Sequence, residues 1–98
     1  MYTIVWRYRV RADKAGEFER VYGARGDWAR LFAQGEGYVG TELYREAGEG
    51  GRFLTVDEWR SQADYDRFRT AHAVDYGAID RRCGEFTDSE ECLGAHER

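Results

Sequence analysis

The first eleven residues alternate without a break. Tyr2, Ile4, Trp6, Tyr8 and Val10 fall on one side of an extended chain, and Thr3, Val5, Arg7, Arg9 and Arg11 on the other. Successive side chains of a strand point to opposite faces, so this period of two marks a half-buried β-strand. In a chain of 98 residues there is room for one domain, whose sheet must be covered by the few segments that follow.

Those segments read in a definite order. Asp13 is placed to cap a helix with an apolar stripe of Phe18, Val21 and Tyr22. Gly23 and Gly26 interrupt it, and Asp27 is placed to cap a second piece carrying Trp28, Leu31 and Phe32. Gly35 and Gly37 then stop the helix. Tyr38 to Glu46 and Arg52 to Trp59 read as two strands joined by the glycine-rich loop 47–51. Ser61, with Asp64 three residues on, opens a further helix in an approximate capping box. Its register of Tyr65, Phe68, Arg69 and His72 gives way to Tyr76, Ile79, Cys83 and Phe86, which predicts a bend near Ala73. A fourth strand over Ser89 to Glu97 completes the chain.

The order βαββαβ predicts an α+β, ferredoxin-like fold over residues 1–98, a four-stranded antiparallel sheet with its helices on one face. Both sheet faces carry apolar groups. Phe53 and Trp59 oppose Leu54 and Val56 in the third strand, and Tyr38 and Tyr44 oppose Val39 and Leu43 in the second. Helices on one face leave the other uncovered, so a homodimer through sheet faces is expected. Three Trp, seven Tyr and five Phe supply a core in which large rings bury much area per residue.

Charge and cysteine usage narrow the partners. The net charge is −4 and no run of like charges stands out, which points away from nucleic acid and from an anionic membrane surface. Cys83 and Cys92 form neither a C-x-x-C pair nor zinc-like spacing, and read as free thiols in a reducing compartment. No metal site is expected from His72, His96 and these two cysteines, which are scattered along the chain. The first residues lack the apolar run of a signal peptide, so the expected location is cytoplasmic.

Gly37 to Arg45, a glycine-rich loop, then Arg52 to Trp59 and Ser61 resemble the antibiotic biosynthesis monooxygenase family, of the dimeric α/β-barrel group. The resemblance runs from the first strand to about His72 and rests mainly on structural positions. It implies a pocket between sheet and helices where some relatives oxidise hydroquinone-like polycyclic molecules with oxygen, without flavin or metal. An electron-rich phenolate or enolate reduces oxygen itself, so the protein supplies a dry aromatic cavity, a base and stabilisation of an anion.

On that resemblance Trp6, Tyr8, Trp28, Trp59 and Phe68 are candidates to wall a site for a small aromatic molecule. His72 is the candidate base, Arg7 or Arg45 the oxyanion partner, and Tyr44 or Tyr76 the hydrogen-bond donor. Each has a plainer reading. The rings serve equally as core, His72 suits a helix C-terminus, and Arg7, Arg9 and Arg11 suit an ion-pair ladder with Glu42 or Glu58. The haem-degrading branch of the group uses an asparagine in the first strand and a tryptophan in the second helix. This chain has no Asn, and Phe68 stands at the helical position, so haem chemistry is disfavoured. A non-catalytic ligand-binding or dimerisation module of the same fold is the alternative to the oxygenase.

Overall fold

The computed structural model describes residues 1–48 and 50–98; Glu49, in the predicted hairpin loop, lies outside the described residues. Strand β1 (Tyr2–Val10) leads through a 3-10 turn (Ala12–Lys14) into helices α1 (Ala15–Tyr22) and α2 (Asp27–Phe32). Strands β2 (Tyr38–Arg45) and β3 (Arg52–Trp59) follow, then α3 (Gln62–Ala71), α4 (Ala73–Cys83) and β4 (Thr87–Glu97). The sheet order is β2-β3-β1-β4, antiparallel at each junction. This is the expected ferredoxin-like α+β arrangement, with each long helix split in two. Among the described residues no helix is long and apolar enough to cross a membrane.

The β1–β3 register decides what faces the helices. Tyr2 pairs with Trp59, Ile4 with Asp57, Trp6 with Thr55 and Tyr8 with Phe53. Because side chains alternate, these eight residues form one inward row. The rings of Tyr8, Phe18, Tyr22 and Phe53 meet within 5.2 Å of one another along a continuous path, Phe18 stacking on Tyr22 at 4.1 Å. A second group centres on Trp59, fully buried, with Phe32, Tyr38, Tyr65 and Phe68 around it. Edge-to-face and tilted ring contacts of this kind add to the area they bury.

Two local expectations change. Asp13 caps no helix; it sits inside the 3-10 turn, where Arg11 occupies the capping position without a side-chain bond. Asp27 is the first residue of α2 rather than its cap, and its carboxylate takes Arg30 at 2.7 Å and Arg82 at 2.5 Å. The cap at Ser61 forms as read, its hydroxyl accepting the Asp64 N–H at 3.2 Å. The helix breaks at His72, whose backbone leaves helical geometry between α3 and α4.

Strand β2 carries a bulge. Tyr38 pairs with Trp59 but Gly40 pairs with Glu58, so Val39 is an extra residue. The bulge reverses the phase beyond it. Thr41 and Leu43 join Tyr38 on the inward side, and Tyr44 is sent to the outer face, 49% exposed, where it donates to Glu42 at 2.9 Å. The predicted pairing of Tyr38 with Tyr44 on one face therefore fails.

The turn into β2 depends on Gly37. Its φ is +92°, a conformation that strains any residue with a Cβ, and a Cβ there would collide with the Asp64 carboxylate. Asp64 has no freedom to withdraw: it is buried and takes Arg60 at 2.9 Å and Arg67. Arg60 in turn donates its backbone N–H to the Gly37 carbonyl at 2.7 Å. Gly37→Ala is expected to lower stability by roughly 1–3 kcal/mol, backbone strain and collision together, as read from urea denaturation. An unchanged urea midpoint would show that the turn is not constrained.

Candidate active site

A cavity lies between the helices and the inward face of the sheet. Strand β1 contributes Trp6 and Tyr8, β2 Thr41, and β3 Thr55 and Asp57. Helix α1 contributes Tyr22, α2 Trp28 and Phe32, α4 Tyr76 and Asp80, and β4 Glu90. Its outline encloses about 460 Å³ of empty space with the open mouth included, of which about 40 Å³ stands a full water radius clear of every atom. That is room for a few water molecules. Asp80 and Glu90 are exposed, which puts them at the mouth, whereas Asp57, Thr41 and Thr55 are buried.

Asp57 was not among the candidates. It is 8% exposed, and burial pushes its carboxyl up from 3.8 to about 6, against the lowering effect of the Thr41 hydrogen bond. Thr41 Oγ1 donates to Asp57 Oδ1 at 2.7 Å, and the Tyr38 hydroxyl lies 2.6 Å from the same Oγ1. A threonine has one hydroxyl hydrogen, here given to Asp57, so Tyr38 is the donor to Thr41. The signal for Asp57 was present in the alternation of the third strand: Phe53, Thr55, Asp57 and Trp59 share a phase, and a carboxylate in a core-facing row is costly unless it has a task.

The other titrating groups follow from the same desolvation. Tyr8 and Tyr22 are raised above the ordinary phenol value by burial, and burial pushes Tyr76 up to about 12. Tyr8 accepts a long hydrogen bond from Thr55 Oγ1 at 3.4 Å, which leaves its own proton to donate. Arg69 lies over the outside of the site, its guanidinium carbon 3.8 Å from the Tyr76 ring centre and its Nη1 bonded to the Tyr65 hydroxyl at 2.9 Å. Glu90, exposed overall, is raised by partial desolvation of its carboxylate and by Asp80 nearby.

Four of the expected site residues come together in the cavity: Trp6, Tyr8, Trp28 and Tyr76. The others do not. His72 stacks on Phe68 at 5.0 Å and lines a separate surface hollow with Gln34 and Arg67. Trp59 and Phe68 are buried in the second aromatic group and do not line this cavity; Phe68 borders the His72 hollow instead. Arg7 projects from the opposite sheet face, where it pairs with Glu91 of β4 at 3.8 Å rather than with Glu42 or Glu58. Arg45 pairs with Glu19 of α1 at 3.0 Å, and Tyr44 is on the outer face beyond the bulge. No arginine, lysine or histidine lines the cavity among the described residues.

Burying an ionised Asp57 has a stability consequence with a definite sign. A carboxyl whose pKa is higher folded than unfolded favours folding when protonated. Its stabilisation is complete below 3.8 and is lost as pH rises through about 6. The shift corresponds to about 3 kcal/mol at most, at ~1.4 kcal/mol per unit. Asp57→Asn is therefore expected to be more stable than wild type at about pH 8 and to gain little at about pH 4. Equal gains at both pH values, from urea midpoints, would show that the carboxylate is not strained in the fold.

Comparison with known proteins bears on what such a cavity belongs to. No curated protein sequence matches the chain. Among solved structures, the cofactor-independent oxygenase SnoaB from Streptomyces nogalater, as a point mutant, superposes with a TM-score of 0.71 at 24% identity, covering 99% of this chain and 91% of that one. A putative antibiotic biosynthesis monooxygenase from Nitrosomonas europaea gives 0.75 at 13% identity, covering 100% and 98%. An uncharacterised NIPSNAP domain protein from Burkholderia xenovorans gives 0.72 at 17% identity, covering 100% and 94%. At these identities the likeness is one of fold. The sequence itself goes further, since the family model described as antibiotic biosynthesis monooxygenase matches residues 1–75. With strands β1 to β3, helices α1 to α3 and the carboxylate of Asp57 all inside that match, the chain belongs to the antibiotic biosynthesis monooxygenase family.

Proposed function

We propose that this protein is a cofactor-independent, oxygen-dependent monooxygenase acting on a small aromatic, hydroquinone-like molecule. The observation that carries the reading is the cavity itself, walled by Trp6, Tyr8, Tyr22, Trp28, Phe32 and Tyr76 and opening past Asp80 and Glu90. Flat rings suit a flat, electron-rich substrate, and the hydroxyls of Tyr8 and Tyr76 stay protonated near neutral pH, as donors to a developing oxyanion must. Membership of the family and the likeness to a cofactor-independent oxygenase support the same reading.

The reaction closes without an outside reductant. A methylene flanked by aromatic rings loses a proton and leaves its electron pair on the substrate. That anion reduces oxygen and a C–O bond forms. The O–O bond then breaks: one oxygen stays as a carbonyl and the other leaves as water with the two methylene hydrogens. The carbon is oxidised and both oxygen atoms are reduced.

The small free volume, about 40 Å³, is what favours the alternative of a non-catalytic small-ligand module, because a polycyclic molecule enters only if the mouth widens. Oxygen uptake separates the two. Anthrones and naphthohydroquinones are expected to give saturable uptake above spontaneous oxidation, with no flavin or metal added; a panel without saturable uptake favours the ligand module.

We also place the protein in a homodimer through its outer sheet faces. Val5 and Val56 pair there with Leu54 beside them, all half-buried with no helix above, and Val39 and Tyr44 are 53% and 49% exposed. Light scattering is expected to return twice the chain mass of 11.4 kDa at micromolar concentration, and a monomer mass would remove this assignment.

A further inference from the structure

We propose that the Asp57 carboxylate takes the substrate's proton, with Thr41 as the positioning residue that holds one of its oxygens and Tyr38 holding Thr41 in turn. The assignment rests on the oxygenase reading of the cavity. It replaces His72, the base expected from the sequence, which lies outside it.

Three observations converge on Asp57. The first is the choice of bases. Among the described residues the cavity is lined by carboxylates, tyrosines and threonines, and by no histidine, lysine or arginine. Its tyrosines are raised by burial and stay neutral near physiological pH, so they accept no proton there. Of the carboxylates, Asp80 on α4 and Glu90 on β4 are exposed at the mouth, where water competes for any substrate proton. Asp57 alone is buried.

The second observation is orientation. The chain of donors runs from the Tyr38 hydroxyl to Thr41 Oγ1 at 2.6 Å and from Thr41 to Asp57 Oδ1 at 2.7 Å. With Oδ1 occupied, Oδ2 is the oxygen left to receive a proton. All three partners sit on neighbouring strands β2 and β3, so the geometry is held by the sheet rather than by a loop.

The third is electrostatic balance. Asp57 is paired across β1 with Ile4 and across β2 with Thr41, and it shares the cavity lining with Trp6 and Tyr8 from β1, Thr55 from its own strand, Trp28 and Phe32 from α2, and Tyr76 from α4. None is a cation; the other charged groups of the lining, Asp80 and Glu90, are acidic, and Arg69 stacks on the outside of Tyr76 and bonds to Tyr65. Among the described residues no ion pair ties up the carboxylate, and burial moves its titration toward neutrality, where a general base works best.

The proton step is then simple. The substrate C–H or O–H bond breaks, its electron pair stays on the substrate, and the proton bonds to Oδ2. The resulting neutral acid is the form that the apolar surroundings favour. Asp57 returns this proton to the departing oxygen as water forms, which restores the carboxylate.

Two readouts test the assignment. The first is oxygen uptake with an anthrone. Asp57→Asn keeps the Thr41 hydrogen bond and is expected to lower kcat by roughly 100-fold or more. Thr41→Val is expected to move the acid limb of the kcat profile to higher pH, because it removes the bond that lowers the Asp57 pKa, and Thr41→Ser to restore it. The second readout is para-nitrophenol, a weaker acid than Asp57, whose absorption moves to longer wavelength when its O–H donates to a base. Bound slightly below neutral pH, it is expected to show this red-shifted band with wild type and to lose it with Asp57→Asn. Undiminished uptake by Asp57→Asn overturns the proposal and leaves the oxygenase reading standing. Absent uptake with an Asp57-dependent band sinks the oxygenase reading and keeps Asp57 as proton acceptor. An unchanged band, or no binding of the probe, overturns the proposal.

Discussion

The pairing of β1 with β3 is the constraint on which the rest of the molecule depends. These two central strands set Tyr2 against Trp59, Ile4 against Asp57, Trp6 against Thr55 and Tyr8 against Phe53 in one row under the helices. A slip of β1 by one residue would turn its members of the row outward and bring Arg7 and Arg9 into the core. Both aromatic groups are built on this row, Tyr8 and Phe53 meeting α1 at one end and Trp59 meeting α2 and α3 at the other. The cavity is the stretch between them, where the row offers Thr55 and Asp57 instead of rings.

That gap conflicts with stability alone. A small domain gains most from an unbroken apolar core, and a buried carboxylate without a counter-charge works against folding at neutral pH. The surroundings reduce the conflict without removing it: Thr41 supplies a hydrogen bond, yet burial still outweighs it in the Asp57 titration. Local departures from folding rules that are not compensated elsewhere concentrate at functional sites. Asp64 is the instructive contrast. It too is buried, but Arg60 and Arg67 bind it and Arg60 holds it below the usual carboxylate range, as expected of a carboxylate that fastens a turn.

The element order was legible because its signals are local. Alternation in β1, Gly37 before β2, Ser61 before α3 and the change of register at His72 each act within a few residues. The site was legible only in part because its composition depends on register. Trp6, Tyr8, Trp28 and Tyr76 line the cavity, but the extra residue Val39 moves Tyr44 to the far face and brings Thr41 under the helices. No periodicity in the sequence marks that bulge. Arg7 could have been placed from the alternation of β1 itself, since it lies opposite to Trp6 and Tyr8. His72 drew attention as a residue type, whereas its position at the α3–α4 break serves packing against Phe68.

The two sides of the cavity differ in how firmly they are held, and this bears on how a ring enters. The floor is strands β1, β2 and β3, hydrogen-bonded to one another and packed on fully buried rings. The rim is α4 and β4. Helix α4 buries only Cys83, with Tyr76 and Ile79 half-buried, and Val74 is 83% exposed. Strand β4 is the sheet edge and is mostly exposed along its length. Opening is least costly where few apolar contacts must separate, so the rim yields before the floor. On the proposed function, a flat molecule would enter by displacing Tyr76 and its neighbours at this rim, while Asp57, Thr41 and Tyr38 lie on the hydrogen-bonded floor. On that reading the proton-accepting group lies on the central strands and the entrance on the periphery, which separates precision from access.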